Sequence, residues 1–165
     1  MEPAVPDADF DALPPALQTL ETRPLFVMRL AVKPLQVISP ARRVGVVPAG
    51  VFAGERLRGE VLDGGADWQS VAADGIVGLD VRLVLKTDDG ALIGMTYQGR
   101  RHGAPEVMAR LTRGEAVDPA DYYFRIHGSF EAAADGPYAW LNGVIAVGIG
   151  HRLPEGPVYS VFEVL

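Results

Sequence analysis

The stretch LDVRLVLKTDDGALIGMTYQG, residues 79–99, contains two runs of alternating residues joined by a turn. Every second residue of the first run is apolar, at Leu79, Val81, Leu83 and Leu85. Alternation of this kind is the period of a β-strand. The DDG triplet between the two runs is a strong hairpin signal. The sequence therefore predicts a β-hairpin that has one plainly apolar face.

The other face of this hairpin carries Asp80 and Arg82. A two-residue loop, whether Asp88-Asp89 or Asp89-Gly90, places Tyr97 on the same face, and only a loop of odd length would separate it from them. The pair could be exposed to solvent, where it would contribute at most about 1 kcal/mol to stability. Alternatively the face could line a cavity, and the hairpin alone leaves both readings open.

Short β-like runs separated by glycine- and proline-rich turns follow one another through most of the chain. We predict strands at 25–32, 43–47, 56–62, 78–86, 91–99, 122–129, 140–148 and 158–165. Many short strands with turns at this spacing indicate a sandwich or barrel. Residues 105–114 interrupt this series of strands and predict a short helix, because Pro105 is typical of a helix start and Gly114 of a helix end. This short helix either packs on the surface or covers the mouth of a barrel.

We therefore predict an all-β protein, a small single-domain antiparallel β-barrel (23–165) with a short helical insertion and an N-terminal extension (1–22). A chain of 165 residues is long enough to bury roughly 70% of the surface that its unfolded form exposes.

The net charge of -6 opposes binding to nucleic acid. The first twenty residues do not have the pattern of a secretory signal, and no apolar run is long enough to cross a bilayer, so the cytoplasm is the expected location.

Two further segments carry aromatic and polar residues on one face. In YYFR, Tyr123 and Arg125 alternate with Tyr122 and Phe124, and YAWLN places Tyr138, Trp140 and Asn142 together if it is a strand. Aromatic and polar side chains that recur in this way suit the lining of a ligand cavity better than an exposed face. We therefore expect these faces, together with the face of Asp80 and Arg82, to point into the barrel lumen.

Several motifs in the chain resemble the DUF3237 family, also called UPF0311, whose members are named only as domains of unknown function. The matching motifs are GGADW (64–68), LDVR (79–82), TDDGALI (87–93), YYFR (122–125), YAWLN (138–142) and AVGIG (146–150). The resemblance covers residues 24–165, nearly the whole chain, with the motifs in the expected order. It implies a barrel-like all-β domain, related in shape to the allene oxide cyclase and lipocalin-like barrels, and leaves the function open.

The recurrent polar positions of this family map onto nine residues: Asp67, Trp68, Asp80, Arg82, Asp88, Asp89, Arg125, Trp140 and Asn142. The segment 126–128 departs from the family, because a small polar residue and a proline are expected after the arginine; it gives this protein a histidine, His127, of its own. We interpret GGADW first as a structural turn, in which Asp67 accepts hydrogen bonds from backbone amides and Trp68 fills the core.

Signals for cofactor or metal chemistry are weak. The chain has no cysteine, and its three histidines are isolated in sequence, so we expect no metal. The GIG at 148–150 lacks the third glycine and the helix of a dinucleotide-binding loop, and no serine lies in a GxSxG elbow. We expect a protein that works without a cofactor.

The sequence therefore predicts a barrel that binds a small, partly aromatic or anionic organic molecule. It could be a cofactor-free enzyme doing proton-transfer chemistry (an isomerase, cyclase or lyase), or a non-catalytic carrier or sensor. We assign catalysis to Asp80 and Arg82, which could equally form a structural ion pair, and ligand binding to Trp68, Tyr97, Tyr123, Arg125, His127, Trp140 and Asn142. The apolar final strand, with little charged edge protection, predicts a homo-oligomer, most simply a dimer.

Overall fold

The computed structural model describes residues 8–165. It contains eleven strands and one α-helix: β1 (Thr22–Ala31), β2 (Leu35–Ser39), β3 (Arg42–Val47), β4 (Ala49–Ala53), β5 (Arg58–Val61), β6 (Gly65–Val71), β7 (Val77–Thr87), β8 (Leu92–Gly103), α1 (Pro105–Thr112), β9 (Tyr122–Glu131), β10 (Ile145–Leu153) and β11 (Gly156–Val164). Single 3-10 turns occupy Phe10–Ala12, Pro15–Leu17, Pro119–Asp121 and Ala139–Gly143. The predicted N-terminal extension lies partly outside the described residues.

Eight strands close into an antiparallel barrel. Around the barrel the order is β7-β5-β4-β1-β11-β10-β9-β8, and the pairing of β8 with β7 closes the ring. The same edge of β7 pairs with β5 near its C-terminal end and with β6 near its N-terminal end. Strands β6, β3 and β2 therefore continue the wall beyond the ring at one end, which we call the mouth. The predicted all-β barrel is confirmed.

The loop between β7 and β8 has three residues, so the predicted two-residue loops are wrong. Thr87 pairs with Ala91, and the N–H of Gly90 donates to the carbonyl of Thr87 at 2.9 Å. Gly90 has a φ of 89°, the left-handed conformation that closes a three-residue hairpin loop. This odd length pairs Tyr97 with Val81 instead of Arg82. Tyr97 therefore shares the apolar face of the hairpin.

The interior of the barrel is built from the plainly apolar faces of the strands. Side chains on these faces are almost fully buried, among them Met28, Phe52, Val81, Leu85, Ile93, Met95, Phe124 and Val161. The aromatic-polar faces point outward, so the prediction that they line the lumen is wrong. A small barrel whose interior is already filled by large apolar side chains has no room for a second, polar lining.

Helix α1 covers the mouth of the barrel, which was one of the two alternatives for this segment. Pro105 occupies its first turn, and Gly114 follows it with a φ of 78°. The N–H of Gly114 donates to the carbonyl of Leu111, and that of Glu115 to the carbonyl of Arg110, an ending typical of helices that stop at glycine. The side chain of Leu111 is buried, and it anchors the helix on the barrel.

Two further expectations need correction. The 3-10 turn Ala139–Gly143, preceded by Tyr138, stands where a strand was predicted to begin, so Tyr138, Trp140 and Asn142 do not share a strand face. Strand β11 pairs with β1 on one side and with β10 on the other, so it is not an edge. The homo-oligomer inferred from an unprotected final strand stays a prediction, without that argument. Among the described residues, no helix is long and apolar enough to cross a membrane.

Candidate functional site

Asp80 and Arg82 lie on the outer face of β7. Both side chains are exposed, whereas their neighbours Leu79, Val81 and Leu83 are buried. They border two shallow grooves on the outside of the barrel. The prediction that their face lines the lumen is therefore wrong. Side chains alternate along β7, and because Leu79, Val81 and Leu83 point into the lumen, Asp80 and Arg82 point outward.

Trp68, Trp140 and Asn142 also lie outside the lumen. Trp68 is 47% exposed on the outer face of β6, so it does not fill the core. Trp140 is partly buried near the start of β10, away from the mouth, and the guanidinium of Arg56 lies 4.3 Å from its ring centroid. The amide of Asn142 accepts from the N–H of Ala132 at 2.7 Å and donates to its carbonyl at 2.9 Å. Asn142 therefore ties its turn to the end of β9.

Tyr123, Arg125 and His127 come together in one groove on the outer face. This groove has a volume of about 680 Å³ and runs across β8, β9 and β10. The guanidinium of Arg125 lies 5.0 Å from the ring centroid of Tyr123, which also stacks on His102 at 4.7 Å. The groove is open to solvent along its length. Ligand binding by these three residues stays a prediction, at a site separate from the lumen.

The lumen contains a different polar cluster, near the mouth. Of the predicted site residues, Tyr97 alone belongs to it, and its side chain is 1% exposed. The other members are Asp67 and Gln69 on β6, Arg43 on β3, Arg101 on β8, Tyr122 on β9, Arg152 on β10 and Tyr159 on β11. We call these eight residues the mouth cluster. Burial of so many polar groups in a small barrel is costly unless each group is paired.

Asp67 is the carboxylate of the mouth cluster. Its side chain is 5% exposed; one oxygen accepts from the Gln69 amide at 2.7 Å and the other from the backbone N–H of Asp80 at 3.2 Å. Gln69 in turn accepts from the Nε of Arg43 at 2.7 Å. Burial raises the pKa of Asp67 to about 6, although these two hydrogen bonds and the nearby Arg101 and Arg43 act to lower it.

Two phenols lie beside this carboxylate. The rings of Tyr97 and Tyr159 meet edge to face, with centroids 5.5 Å apart. Burial, followed by the influence of the neighbouring phenol, raises the pKa of Tyr97 well above its ordinary value, and burial does the same to the pKa of Tyr159. Both phenols therefore keep their protons at neutral pH and act as O–H donors.

Three guanidinium groups complete the mouth cluster. Arg101 is 4% exposed, and its carbon Cζ lies 5.2 Å from the ring centroid of Phe124. Burial, and next the repulsion from Arg152, lowers the pKa of Arg101 to about 10. Burial and the repulsion from Arg152 also lower the pKa of Arg43. The arginines are therefore held close together against their mutual repulsion.

A small cavity of about 90 Å³ lies at the mouth beneath α1. All three arginines of the mouth cluster line it, and the remaining wall is made by Leu35, Val77, Met108, Leu111 and Thr112. Among residues 8–165, no three histidine, aspartate or glutamate side chains are arranged to hold a metal ion.

The sequence contains a signal for this cluster, because its inward residues continue the apolar stripes of their strands. Arg101 is in phase with Ile93, Met95 and Tyr97 on β8, and it ends a stripe that is otherwise uncharged. On β6, Asp67 and Gln69 are in phase with the buried Gly65. A charged residue that shares the phase of an apolar stripe is the expected sign of a buried polar site.

Relatives with this fold come from several bacteria. The family model described as "Protein of unknown function (DUF3237)" matches residues 20–164. A UPF0311 protein from Rhodopseudomonas palustris is 32% identical over 151 residues, which cover 89% of this chain and 98% of that protein. A UPF0311 protein from Clostridium acetobutylicum is 34% identical over 123 residues, which cover 74% of this chain and 77% of that protein.

Solved structures show the same architecture. A conserved protein of unknown function from Rhodopseudomonas palustris superposes with a TM-score of 0.84 at 34% identity, over 89% of this chain and 98% of its own. A β-barrel-like protein from Acinetobacter baumannii gives 0.75 at 37% identity, over 93% and 99%. A structure described as an enzyme from Penicillium herquei gives 0.65 at 23% identity, over 88% and 95%, and shows the fold alone. The chain belongs to the DUF3237 family, also named UPF0311.

Proposed function

We propose that this protein is a cofactor-free enzyme that transfers a proton on a small organic substrate held at the mouth of the barrel, with Asp67 as the general base. The observation that carries the proposal is a buried carboxylate with a pKa near 6 that lies among two buried, protonated phenols and three arginines, of which Arg101 is buried and the other two are partly buried. Titratable groups with displaced pKa values, gathered in one enclosed site, are typical of active sites.

Three members of the mouth cluster would act directly in this chemistry: Asp67, Tyr97 and Tyr159. Asp67 is mostly ionised at neutral pH, and its raised pKa makes it a stronger base than an ordinary aspartate. It would take a proton from the substrate, leaving the electron pair on an adjacent oxygen as an enolate or phenolate. The phenol of Tyr97 or Tyr159 would donate a hydrogen bond to that oxygen. The protonated Asp67 would return the proton to a second carbon, which completes an isomerisation. In a ring closure, the phenolate oxygen would first add to a carbon–carbon double bond of the substrate, and the proton would go to the carbanion that this addition leaves.

Deuterium exchange tests this proposal without knowledge of the natural substrate. Phenylpyruvate and 2-tetralone, one anionic and one neutral enolisable ketone, would be incubated with the protein in D₂O and followed by proton NMR. We expect exchange above the buffer rate, with a pH profile that rises and levels off above about 6. Asp67→Asn should lower the rate by about 10²–10⁴-fold.

Asp80→Asn is the matched control, because it makes the same change of charge on the outer face of the neighbouring strand. Its rate should equal that of the wild type. If Asp80→Asn abolishes exchange while Asp67→Asn leaves it intact, the lumen assignment is wrong.

A carrier or sensor is the second candidate. Both oxygens of Asp67 already accept hydrogen bonds, from Gln69 and from the backbone of Asp80, so the carboxylate is also suited to a fixed structural role. Tight binding of both ketones with no exchange above the buffer rate would favour this candidate.

A further inference from the structure

We infer that the three arginines of the mouth cluster form a subsite for the carboxylate group of an organic acid. This inference deepens the proposed function, on which it rests for the location of the substrate. Three features of the molecule support it: the unmatched positive charge at the mouth, the unpartnered buried Nε of Arg101, and the volume and polarity of the cavity.

The charge at the mouth is unbalanced. Arg43, Arg101 and Arg152 line the cavity, and no acidic side chain of the described chain lines it with them. The carboxylate of Asp67 lies nearby and is already engaged by Gln69 and by a backbone N–H. Three guanidinium groups against one carboxylate leave a net positive site, and the arginines repel one another. An anion in the cavity would relieve that repulsion.

Arg101 supplies a hydrogen-bond donor without a partner. Its Nε is buried, and within residues 8–165 it has no hydrogen-bond partner. Buried donors of arginine are almost always paired, because an unpaired one costs about 1–3 kcal/mol or more. The same side chain lines the cavity at the mouth, so a ligand that enters there meets this arginine.

The volume and the lining of the cavity favour one chemical class of anion. A volume of about 90 Å³ equals the share of roughly three liquid waters, which suits a carboxylate group and excludes a large polyanion. The remaining wall is mostly apolar, from Leu35, Val77, Met108 and Leu111, and so matches the carbon skeleton of an organic acid. From α1 the cavity is lined by Met108, Leu111 and Thr112, and the N–H of Met108 already donates to the carbonyl of Ala104 at 3.0 Å, so the free backbone N–H groups that hold phosphate at helix N-termini are not presented to the cavity.

Calorimetric titration at constant ionic strength tests the subsite independently of activity. The probes are acetate and benzoate, their neutral counterparts acetamide and benzamide, and inorganic phosphate. We expect the wild type to bind a carboxylate at least about tenfold more tightly than the matching amide and more tightly than phosphate. Equal binding of acid and amide, preference for phosphate, or no binding of either acid would overturn the inference.

Arg101→Met is the decisive variant, because methionine fills similar space and removes a buried unpaired charge, so the fold should be kept. It should weaken binding of the acid at least about tenfold. Arg58→Met is the matched control, since it removes an exposed arginine from the outer face of β5, and it should bind as the wild type does. Arg125→Met removes an arginine of the outer groove, and it tests that groove as the alternative site. Loss of binding in Arg125→Met with full binding in Arg101→Met would place the acid in the outer groove and overturn the subsite.

Asp67→Asn separates this inference from the proposed function. Because the variant removes a negative charge near the arginines, it should bind the acid at least as tightly as the wild type while losing exchange activity. If it keeps both binding and exchange, the catalytic role of Asp67 fails and the subsite stands. If Arg101→Met keeps full binding, the subsite fails whatever Asp67→Asn does.

Discussion

Arg82 and Arg101 are both arginines on long barrel strands, and they differ in the face that each one occupies. Arg82 points outward into solvent, so its removal should cost little. We expect Arg82→Ala to lower the free energy of unfolding by less than about 1 kcal/mol. Tyr97→Ala, one strand away on the inner face, should cost about 3–5 kcal/mol because it opens a cavity in the core. Denaturant melts measure both changes, and a loss above about 2 kcal/mol in Arg82→Ala would contradict the outward assignment.

Asp67 makes stability depend on pH in a direction opposite to that of most carboxylates. Its pKa is about 6 in the folded protein and near 3.8 in the unfolded chain, so between these values the folded state binds more protons. The wild type therefore loses stability as the pH rises through this window, and the lost contribution is at most about 3 kcal/mol.

Asp67→Asn has no such titration. The difference in unfolding free energy, variant minus wild type, should therefore grow between pH 4 and pH 7 and stay constant above that range. Urea melts at one-unit steps measure it. Because the other carboxylates are common to both proteins, their titration cancels in this difference. A difference that is independent of pH would show that Asp67 is not buried as a carboxylate.

At the level of the elements, the loop between β7 and β8 fixes which residues enter the lumen. Gly90 holds the left-handed conformation that this loop needs, and a Cβ added there would meet no atom within 4 Å. Gly90→Ala should therefore lose about 1–2 kcal/mol through backbone strain alone. Gly143 also has open space but an ordinary φ, so Gly143→Ala should be close to neutral. Equal melting curves for the two variants would contradict this account of the loop.

Most elements of the fold could be predicted from the sequence, because alternation and turn residues act locally. Each of the eight predicted strands overlaps a strand of the sheet, seven of them in the closed ring and one at β3, and the helix begins at the predicted Pro105. Strands β2, β4 and β6 were not predicted: β2 and β4 have five residues each, and β6 begins inside GGADW, whose glycines are typical of a turn. The segment Tyr138–Asn142 alternates like a strand but folds as a 3-10 turn, which no local pattern distinguishes.

The candidate site was harder to predict because it depends on which face of each strand points into the lumen. The loop TDDGA permits both even and odd lengths, and one residue of difference moves Tyr97 to the other face of the sheet. The family resemblance marks Asp67 as a polar position, but the glycines of GGADW beside it favour a turn over an inward-facing strand residue. Asp67 on β6 and Tyr159 on β11 come together only through the curvature of the whole sheet, because their strands do not pair, and no local pattern encodes that curvature.

At the level of the whole molecule, the exposed edge of the sheet lies at β2. This strand pairs with β3 alone, and its Leu35, Val37 and Ile38 are exposed. Free apolar edges favour pairing between chains, so the homo-oligomer stays a prediction, now placed at β2. Light scattering at micromolar concentration should give a mass above that of one chain, and Val37→Lys should lower it. A monomeric wild type would contradict this prediction.

In the barrel as a whole, apolar side chains fill the lumen except near the mouth, where the polar mouth cluster lies beneath α1. This arrangement shields Asp67 from water, and its burial is what raises the pKa of Asp67. The central claim is therefore that the chemistry of this protein lies inside the barrel at Asp67 and not on its outer face.

The pKa of Asp67, measured by carbon-13 NMR of the side-chain carboxyl groups, tests this claim most directly. The signal would be assigned by its loss in Asp67→Asn, which leaves all other aspartates in place. We expect it to titrate near pH 6, and to titrate higher still in Arg101→Met, where a cation that lowers this pKa is removed. Titration at the ordinary value near 3.8, unchanged in Arg101→Met, would contradict the account.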